Sequence, residues 1–294
     1  MPGPAVIRTI SEMQKWTDDL RVGERRIGLV PTMGFLHAGH ATLIQQAARL
    51  TSEVVVSLFV NPTQFGPTED FEAYPRDFES DFDLIAAAGG SLVFAPTRDE
   101  MYPEGFATRV TVGMLSEHLC GASRPGHFEG MATIVAKLLS TVRPHFAIFG
   151  QKDAQQLGVI RRMVRDLNLD VEIVGAPTVR EADGLAKSSR NSYMDAQERE
   201  EAAVIFQALQ RARDLVLAGE TETRNVLRAM DKLLQNKPKA EVEYIAAVDP
   251  VDFQPVQTLS GRVLIATAVR FGKARLIDNL MVNGPENSGG HNSV

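Results

Sequence analysis

The sequence holds a single cysteine, Cys120. No intrachain disulfide can form, and a zinc site built on cysteines is excluded; the thiol reads as structural rather than nucleophilic. Basic residues are not in excess: 31 Lys and Arg stand against 37 Asp and Glu, for a net charge of −6. That disfavours nucleic-acid binding through a broad basic face and leaves room for a local basic pocket for a small anion. No apolar run approaches the roughly 18 residues of a membrane span. The N-terminal stretch "MPGPAVIRTISEMQKW" lacks the basic patch and apolar core of a secretory signal, so the expected location is cytoplasmic. The GxGxxG pattern is missing, which disfavours a dinucleotide oxidoreductase. Low complexity is confined to the end, where 284–294 is expected to be a disordered tail and His291 within it to have no role.

With 294 residues, 44% of them hydrophobic, the chain can bury a sizeable core unaided. Apolar runs rich in β-branched residues recur at 26–30, 53–60, 91–96, 146–150 and 171–175. Such runs suit strands buried on both faces. Helical patterns lie between them, at 40–50, 75–90, 130–142 and 154–168, the last placing Leu157, Ile160, Val164 and Leu167 on one face. This alternation predicts an α/β fold, a Rossmann-like parallel sheet with helices on both faces. After about residue 178 the texture changes. A helix is expected from Asp195, where Asp and Glu198 make a capping-box-like start, to Gly219, and another over 221–236. Two strands, "VEYIAAVDP" and "RVLIATAVRFGKARLIDNL", follow. The expected organisation is a larger first domain over 1–178 and a smaller C-terminal α+β domain over 179–283.

Chemistry in such sheets collects beyond the carboxyl ends of the strands. The joint "VPTMGFLHAGH" at 30–40 puts His37 and His40 where a helix begins. Helix N-termini expose unpaired N–H groups and partial positive charge, so they attract phosphate; Gly34 and Gly39 let a ligand approach the backbone. Two imidazoles three residues apart can also ligate zinc, but neither an HExxH pattern nor an adjacent carboxylate accompanies them, and no protein-held metal is expected. "FVNPTQFG" places Asn61 and Gln64 after the second run, as amides able to orient a hydroxy acid or as simple turn residues. "ASRPGHFEG" offers Arg124 and His127 ahead of a helix. "FGQKDAQQ" brings Lys152, Asp153 and Gln156 to another strand end. "READGLAKSSRNSY" gathers Lys187, Ser188, Ser189, Arg190 and Asn191, either a polar linker or a mobile phosphate clamp.

Together, "VPTMGFLHAGH", "FVNPTQF", "RPGHFEG", "FGQKDAQQL", "SSRN" and "RLIDN" closely resemble the pantothenate synthetase (pantoate–β-alanine ligase) family of the nucleotidylyltransferase-like superfamily, over nearly the whole chain. "HAGH" stands where that superfamily has a HIGH-type motif and "KSSRN" where it has a KMSKS-like loop. Two positions depart from the family pattern: Gln151 stands where Glu is common, and Lys187 where Met or Leu usually precedes the serines. The resemblance implies ATP-dependent condensation of pantoate with β-alanine through a pantoyl-adenylate, releasing AMP and pyrophosphate, with magnesium carried on ATP and a homodimeric assembly. It implies catalytic roles for His40, His37 and Lys152, with His40 the proton donor. It implies ATP contacts from Met33, Gly34, Phe35, Leu36, Ala38, Gly39, Gly150, Gln151, Asp153, Val179, Lys187, Ser188, Ser189 and Arg190 as well. Gln64, Gln156 and Asn61 would hold pantoate or β-alanine, with Arg124 and His127 as pocket wall or β-alanine entry. The alternatives are a nucleotidyltransferase that keeps the nucleotide on its product and a non-catalytic nucleotide sensor.

Overall fold

A computed structural model describes residues 3–67 and 69–285; the tail at 286–294, with His291, lies outside the described residues. Contacts divide the chain into two compact units, one of Met1–Ser116 with Arg124–Val179, the other of Glu117–Ser123 with Arg180–Val294. The sequence boundary near 178 ignored the short Glu117–Ser123 segment, whose contacts are made far along the chain.

The first unit is a six-stranded parallel sheet of β1 (Ala5–Ile7), β2 (Ile27–Thr32), β3 (Glu53–Leu58), β4 (Leu92–Phe94), β5 (Phe146–Gly150) and β6 (Glu172–Ala176), in the order β1-β4-β3-β2-β5-β6. Its helices are α1 (Ile10–Val22), α2 (Ala38–Leu50), α3 (Phe78–Ala88), the short α4 (Arg98–Met101), α6 (His127–Val142) and α7 (Ala154–Asp166); α5 (Cys120–Ser123) falls in the second unit. Val54 and Val56 join a core with Ile44 and Ala47 of α2 and Ile85 of α3. Val55 between them is equally buried and points to the opposite face, because strand side chains alternate. Both faces are covered, which is why these strands read as unbroken apolar runs. The chain leaves β2 to build the sheet towards β3, and later returns to β2's other side with β5. The order therefore reverses between β2 and β5, and ligands in such sheets bind at that reversal.

The second unit packs α8 (Ala196–Ala202), α9 (Val204–Leu217) and α10 (Thr223–Gln235) with an antiparallel sheet of β7 (Ala240–Val248), β8 (Arg262–Phe271) and β9 (Ala274–Asn283). Leu209, Val226, Met230, Ile265 and Phe271 share its core.

Several expectations change. The helix from Asp195 is two helices interrupted at Ala203. The run "RVLIATAVRFGKARLIDNL" is a hairpin rather than one strand: Gly272 takes φ +53° at its tight turn, the left-handed region that hairpin turns require. Leu167, expected on the buried face of α7, is 52% exposed because the helix has ended and Leu167 is its C-cap. β1 and α1 had no expectation, although Thr9 followed by Glu12 is a helix-start signature; Thr9 caps α1.

Candidate active site

At the end of β2 the backbone turns sharply. Gly34 has φ +86° and Phe35 φ +50°. Asp81 of α3, only 3% exposed, fixes this turn: its carboxylate accepts the Phe35 N–H at 2.8 Å and the Leu36 N–H at 2.6 Å. A side chain at Gly34 would start 3.0 Å from that carboxylate. Burial raises the Asp81 pKa, opposed by those two amides. Sequence reasoning missed Asp81, for its partners lie more than forty residues away.

His37 is the N-cap of α2 and His40 its third residue. His37 Nδ1 accepts the Gly39 N–H at 3.1 Å, and His40 Nδ1 accepts the His37 N–H at 3.2 Å. The pair makes a capping box out of imidazoles, in place of the usual hydroxyl and carboxylate. An Nδ1 that accepts must be unprotonated, so the neutral ring carries its proton on Nε2. Desolvation first, then the charges of His37 and Lys152, lower the His40 pKa to about 3. His40 is thus neutral at pH 7. In this state the ring offers an Nε2–H hydrogen bond to an acceptor.

Lys152 follows β5 in a short turn, Gln151–Asp153. Its ammonium lies 3.8 Å from Asp153 and is 19% exposed. Gln151 Nε2 donates to the Gly175 carbonyl, and Gln156 lies on α7, half-buried. Gly150 is the last residue of β5, and half-buried Val179 ends the unit. The His37–His40 turn and Lys152 therefore occupy the ends of β2 and β5, the two strands that flank the reversal of order.

Asn61 and Gln64 flank a turn after β3 and are buried. Asn61 is fully engaged. Its amide donates to Gln64 Oε1 at 3.0 Å and to the Gly130 carbonyl at 3.1 Å, while its oxygen accepts from Tyr102 at 2.7 Å and Thr63 at 3.0 Å. Gln64 Nε2, by contrast, meets the soft sulfur of Met33, at 3.2 Å, a weak acceptor that a substrate oxygen would outcompete. The helix α6 presses against this turn: a Cβ at Gly130 would sit 2.1 Å from the Thr63 carbonyl oxygen.

Arg124 and His127 are committed to protein partners. Arg124 binds Glu69 through Nε and Nη2 at 2.6 and 2.7 Å and lies 2.9 Å from His127 Nε2. His127 Nδ1 lies 2.8 Å from the Gln64 carbonyl oxygen. A carbonyl only accepts, so Nδ1 carries the proton and Nε2 accepts from Arg124. Burial, then Arg124, lowers the His127 pKa to about 4. Glu69 is lowered to about 2; burial opposes that shift, and the Arg124 hydrogen bond and charge outweigh it. Both residues thus reach the Gln64 carbonyl, Arg124 through Nη2 at 3.4 Å.

The second unit carries the other expected nucleotide contacts. Lys187 pairs with Glu181 at 2.9 Å. Ser188 caps the short turn Ser189–Tyr193, accepting the Arg190 N–H, and Asn191 donates to the Ala186 carbonyl. Cys120 is buried, 3.2 Å from the Tyr244 hydroxyl.

The chain has counterparts among known proteins. A family model described as pantoate-beta-alanine ligase matches residues 5–281. The pantothenate synthetase of Heliobacterium modesticaldum is 53% identical over 94% of this chain and 99% of its own length; that of Thermotoga petrophila is 49% identical over the same shares. The crystal structure of pantothenate synthetase from Thermus thermophilus superposes with a TM-score of 0.90 at 47% identity, covering 95% of this chain and 99% of that one. Pantoate-beta-alanine ligase from Francisella tularensis, complexed with beta-gamma ATP and beta-alanine, superposes at 0.78 with 32% identity, over 95% and 97%. The chain belongs to the pantoate–β-alanine ligase family.

Proposed function

We propose that this protein condenses pantoate with β-alanine at the expense of ATP, forming pantothenate, AMP and pyrophosphate. Family membership over nearly the whole chain supports this, as does the ligand pair held by the Francisella relative. The observation that carries it is the imidazole pair of His37 and His40, fixed by a helix turn at the sheet's reversal point and accompanied by Lys152.

A carboxylate is a poor electrophile and must first be activated. A pantoate carboxylate oxygen attacks the α-phosphorus of ATP; the α–β phosphoanhydride bond breaks and pyrophosphate leaves. The amine of β-alanine then attacks the acyl carbon, sheds a proton, and AMP departs. Both steps concentrate negative charge on phosphate oxygens. Nε2–H of His37 and of His40, the Lys152 ammonium and the amides opening α2 are the donors preset to meet it. Losing one such donor typically costs about 3–4 kcal/mol, or roughly 10²–10³ in rate, whereas a helix terminus alone supplies about 0.3–2 kcal/mol. Side chains therefore supply most of the effect.

Gln64 and Gln156 orient the pantoate oxygens, with Gln64 also facing β-alanine, while Asn61, Arg124 and His127 position Gln64. Met33 and residues 34–40, with Gly150, Gln151, Asp153 and Val179, line the nucleotide; Lys187, Ser188, Ser189 and Arg190 are carried over as further nucleotide contacts. Among the described residues no three His, Cys, Asp or Glu side chains gather into a metal cage. The imidazole, ammonium and amide donors present suit phosphate rather than a cation, so we place magnesium on the nucleotide oxygens. No helix among the described residues is long and apolar enough to cross a membrane, and we place the enzyme in the cytoplasm as a homodimer; sedimentation as a monomer at micromolar concentration would refute the assembly. Incubation with ATP, pantoate and β-alanine tests the reaction. Free AMP and pantothenate are expected, whereas a nucleotide retained on the product would identify a nucleotidyltransferase.

A further inference from the structure

We propose that Arg180 and Asp278 are positioning residues for the nucleotide-contacting segment 187–190. The inference rests on the reading of that segment given above. The pair acts through the backbone and touches no substrate.

Residues 180–186 form a tight hairpin. Arg180 and Ala186 bridge in antiparallel fashion, the Glu181 N–H donates to the Leu185 carbonyl at 2.8 Å, and the Gly184 N–H donates to the Glu181 carbonyl at 3.0 Å. The hairpin is anchored at its base and at its tip. At the base, Arg180 lays its fork on Asp278 of β9, Nη1 at 2.5 Å and Nη2 at 3.0 Å, and the same Nη1 donates to the Gly184 carbonyl at 3.0 Å. Its guanidinium carbon stands 4.1 Å from the centre of the Phe206 ring. At the tip, Gly184 packs so closely on Phe206 that a Cβ would lie 2.1 Å from the ring, and Asp183 binds Arg199 at 2.6 Å. Leu185 and Ala186 are buried.

Asp278 is only 3% exposed, and both its oxygens are engaged: Oδ1 accepts the Asn279 N–H as well as Arg180. It has no face to offer a ligand. It explains why "RLIDN" belongs with "SSRN" although about ninety residues separate them. The carboxylate at 278 seats the arginine from which the hairpin springs, and residues 187–190 emerge directly from its second arm. Where they emerge is fixed by a bidentate contact whose planar fork a lysine cannot reproduce.

The test compares Arg180→Lys and Asp278→Asn with the direct variants Ser188→Ala and Arg190→Ala, each checked for folding by circular dichroism and assayed in full steady state. Arg180→Lys and Asp278→Asn are expected to raise the KM for ATP or lower kcat at least ten-fold, with the KM for pantoate within two-fold of the parent. Unchanged ATP kinetics in a folded variant with lowered Tm would overturn the proposal and leave the pair a stabilising contact only. An equal rise in both KM values would overturn it too. Silent Ser188→Ala and Arg190→Ala would instead sink the reading of 187–190 itself. Amide exchange in the unaltered protein supplies a readout independent of folding in the variants: the Glu181 and Gly184 amides are expected to be protected, and free exchange there would contradict a rigid hairpin.

Discussion

His37 and His40 cap one helix turn reciprocally: each Nδ1 accepts a backbone N–H, at 3.1 and 3.2 Å, and their rings lie 4.1 Å apart. One local motif thereby fixes both tautomers, and so the direction in which each ring can donate. In the proposed reaction, capping and phosphate binding would use different nitrogens of the same side chains.

That division can be separated experimentally. His37→Asn keeps an N-cap acceptor, and Asn ranks among the best caps, but it lacks the Nε2–H. Its Tm should stay near that of the parent while turnover falls by roughly 10²-fold or more. His37→Ala should lose about 1 kcal/mol of stability in addition. Thermal melts alongside initial rates check both; a silent His37→Asn would remove His37 from the chemistry.

Acid should destabilise the protein in two stages. His40 and His127 are depressed to about 3 and about 4, below the ordinary value near 6.5. As pH falls through 6.5 the unfolded chain takes up protons that the folded one refuses, so stability present at pH 7 is lost down to about pH 4 for His127 and about pH 3 for His40. Each histidine contributes a slope of at most about 1.4 kcal/mol per pH unit. Glu69, held at about 2, adds a second loss between about pH 4.5 and 2. Urea midpoints from pH 7 to 4 should fall for the parent and fall less steeply for His127→Gln. Parallel lines would show that His127 is not held neutral.

Gly130→Ala should injure pantoate binding without touching the nucleotide loops. The new methyl would start 2.1 Å from the Thr63 carbonyl and 2.7 Å from the Gln64 nitrogen, both backbone atoms that move only with the turn. Overpacking of this kind typically costs about 1–3 kcal/mol. Calorimetry should find weakened pantoate binding, with ATP binding less affected; unaltered pantoate affinity would mean that the turn yields without displacing Gln64.

Lys152→Ala should lower turnover by orders of magnitude, since in the proposed reaction its charge would meet one that develops in the transition state. Lys187→Met should raise the KM for ATP only several-fold and leave that for pantoate unchanged, because the Glu181 carboxylate at 2.9 Å already engages the ammonium. Salt titration of both variants checks this: the ATP dependence should become shallower in Lys187→Met.

The legible features were local ones. The strand–loop–helix joint at 27–50, the histidine spacing and the Lys152 turn are each written in consecutive residues, and periodicity is enough to place them. Features that depend on contact across the chain were not legible. Asp81 looks like one acidic residue among several in "FESDFD", and only the folded backbone brings Phe35 and Leu36 to it. Arg124 and His127 stand ahead of a helix in "RPGHFEG", and their site role came only from the resemblance; the carboxylate that engages Arg124, Glu69, is 55 residues away. Asp278 was quoted within a motif, but its use required Arg180.

The central claim is that ATP is attacked by pantoate before β-alanine takes part. Positional isotope exchange in ATP labelled at the α–β bridge tests it directly. Scrambling should appear with pantoate alone, vanish without pantoate, and need no β-alanine; scrambling that appears only once β-alanine is added would contradict the two-step account.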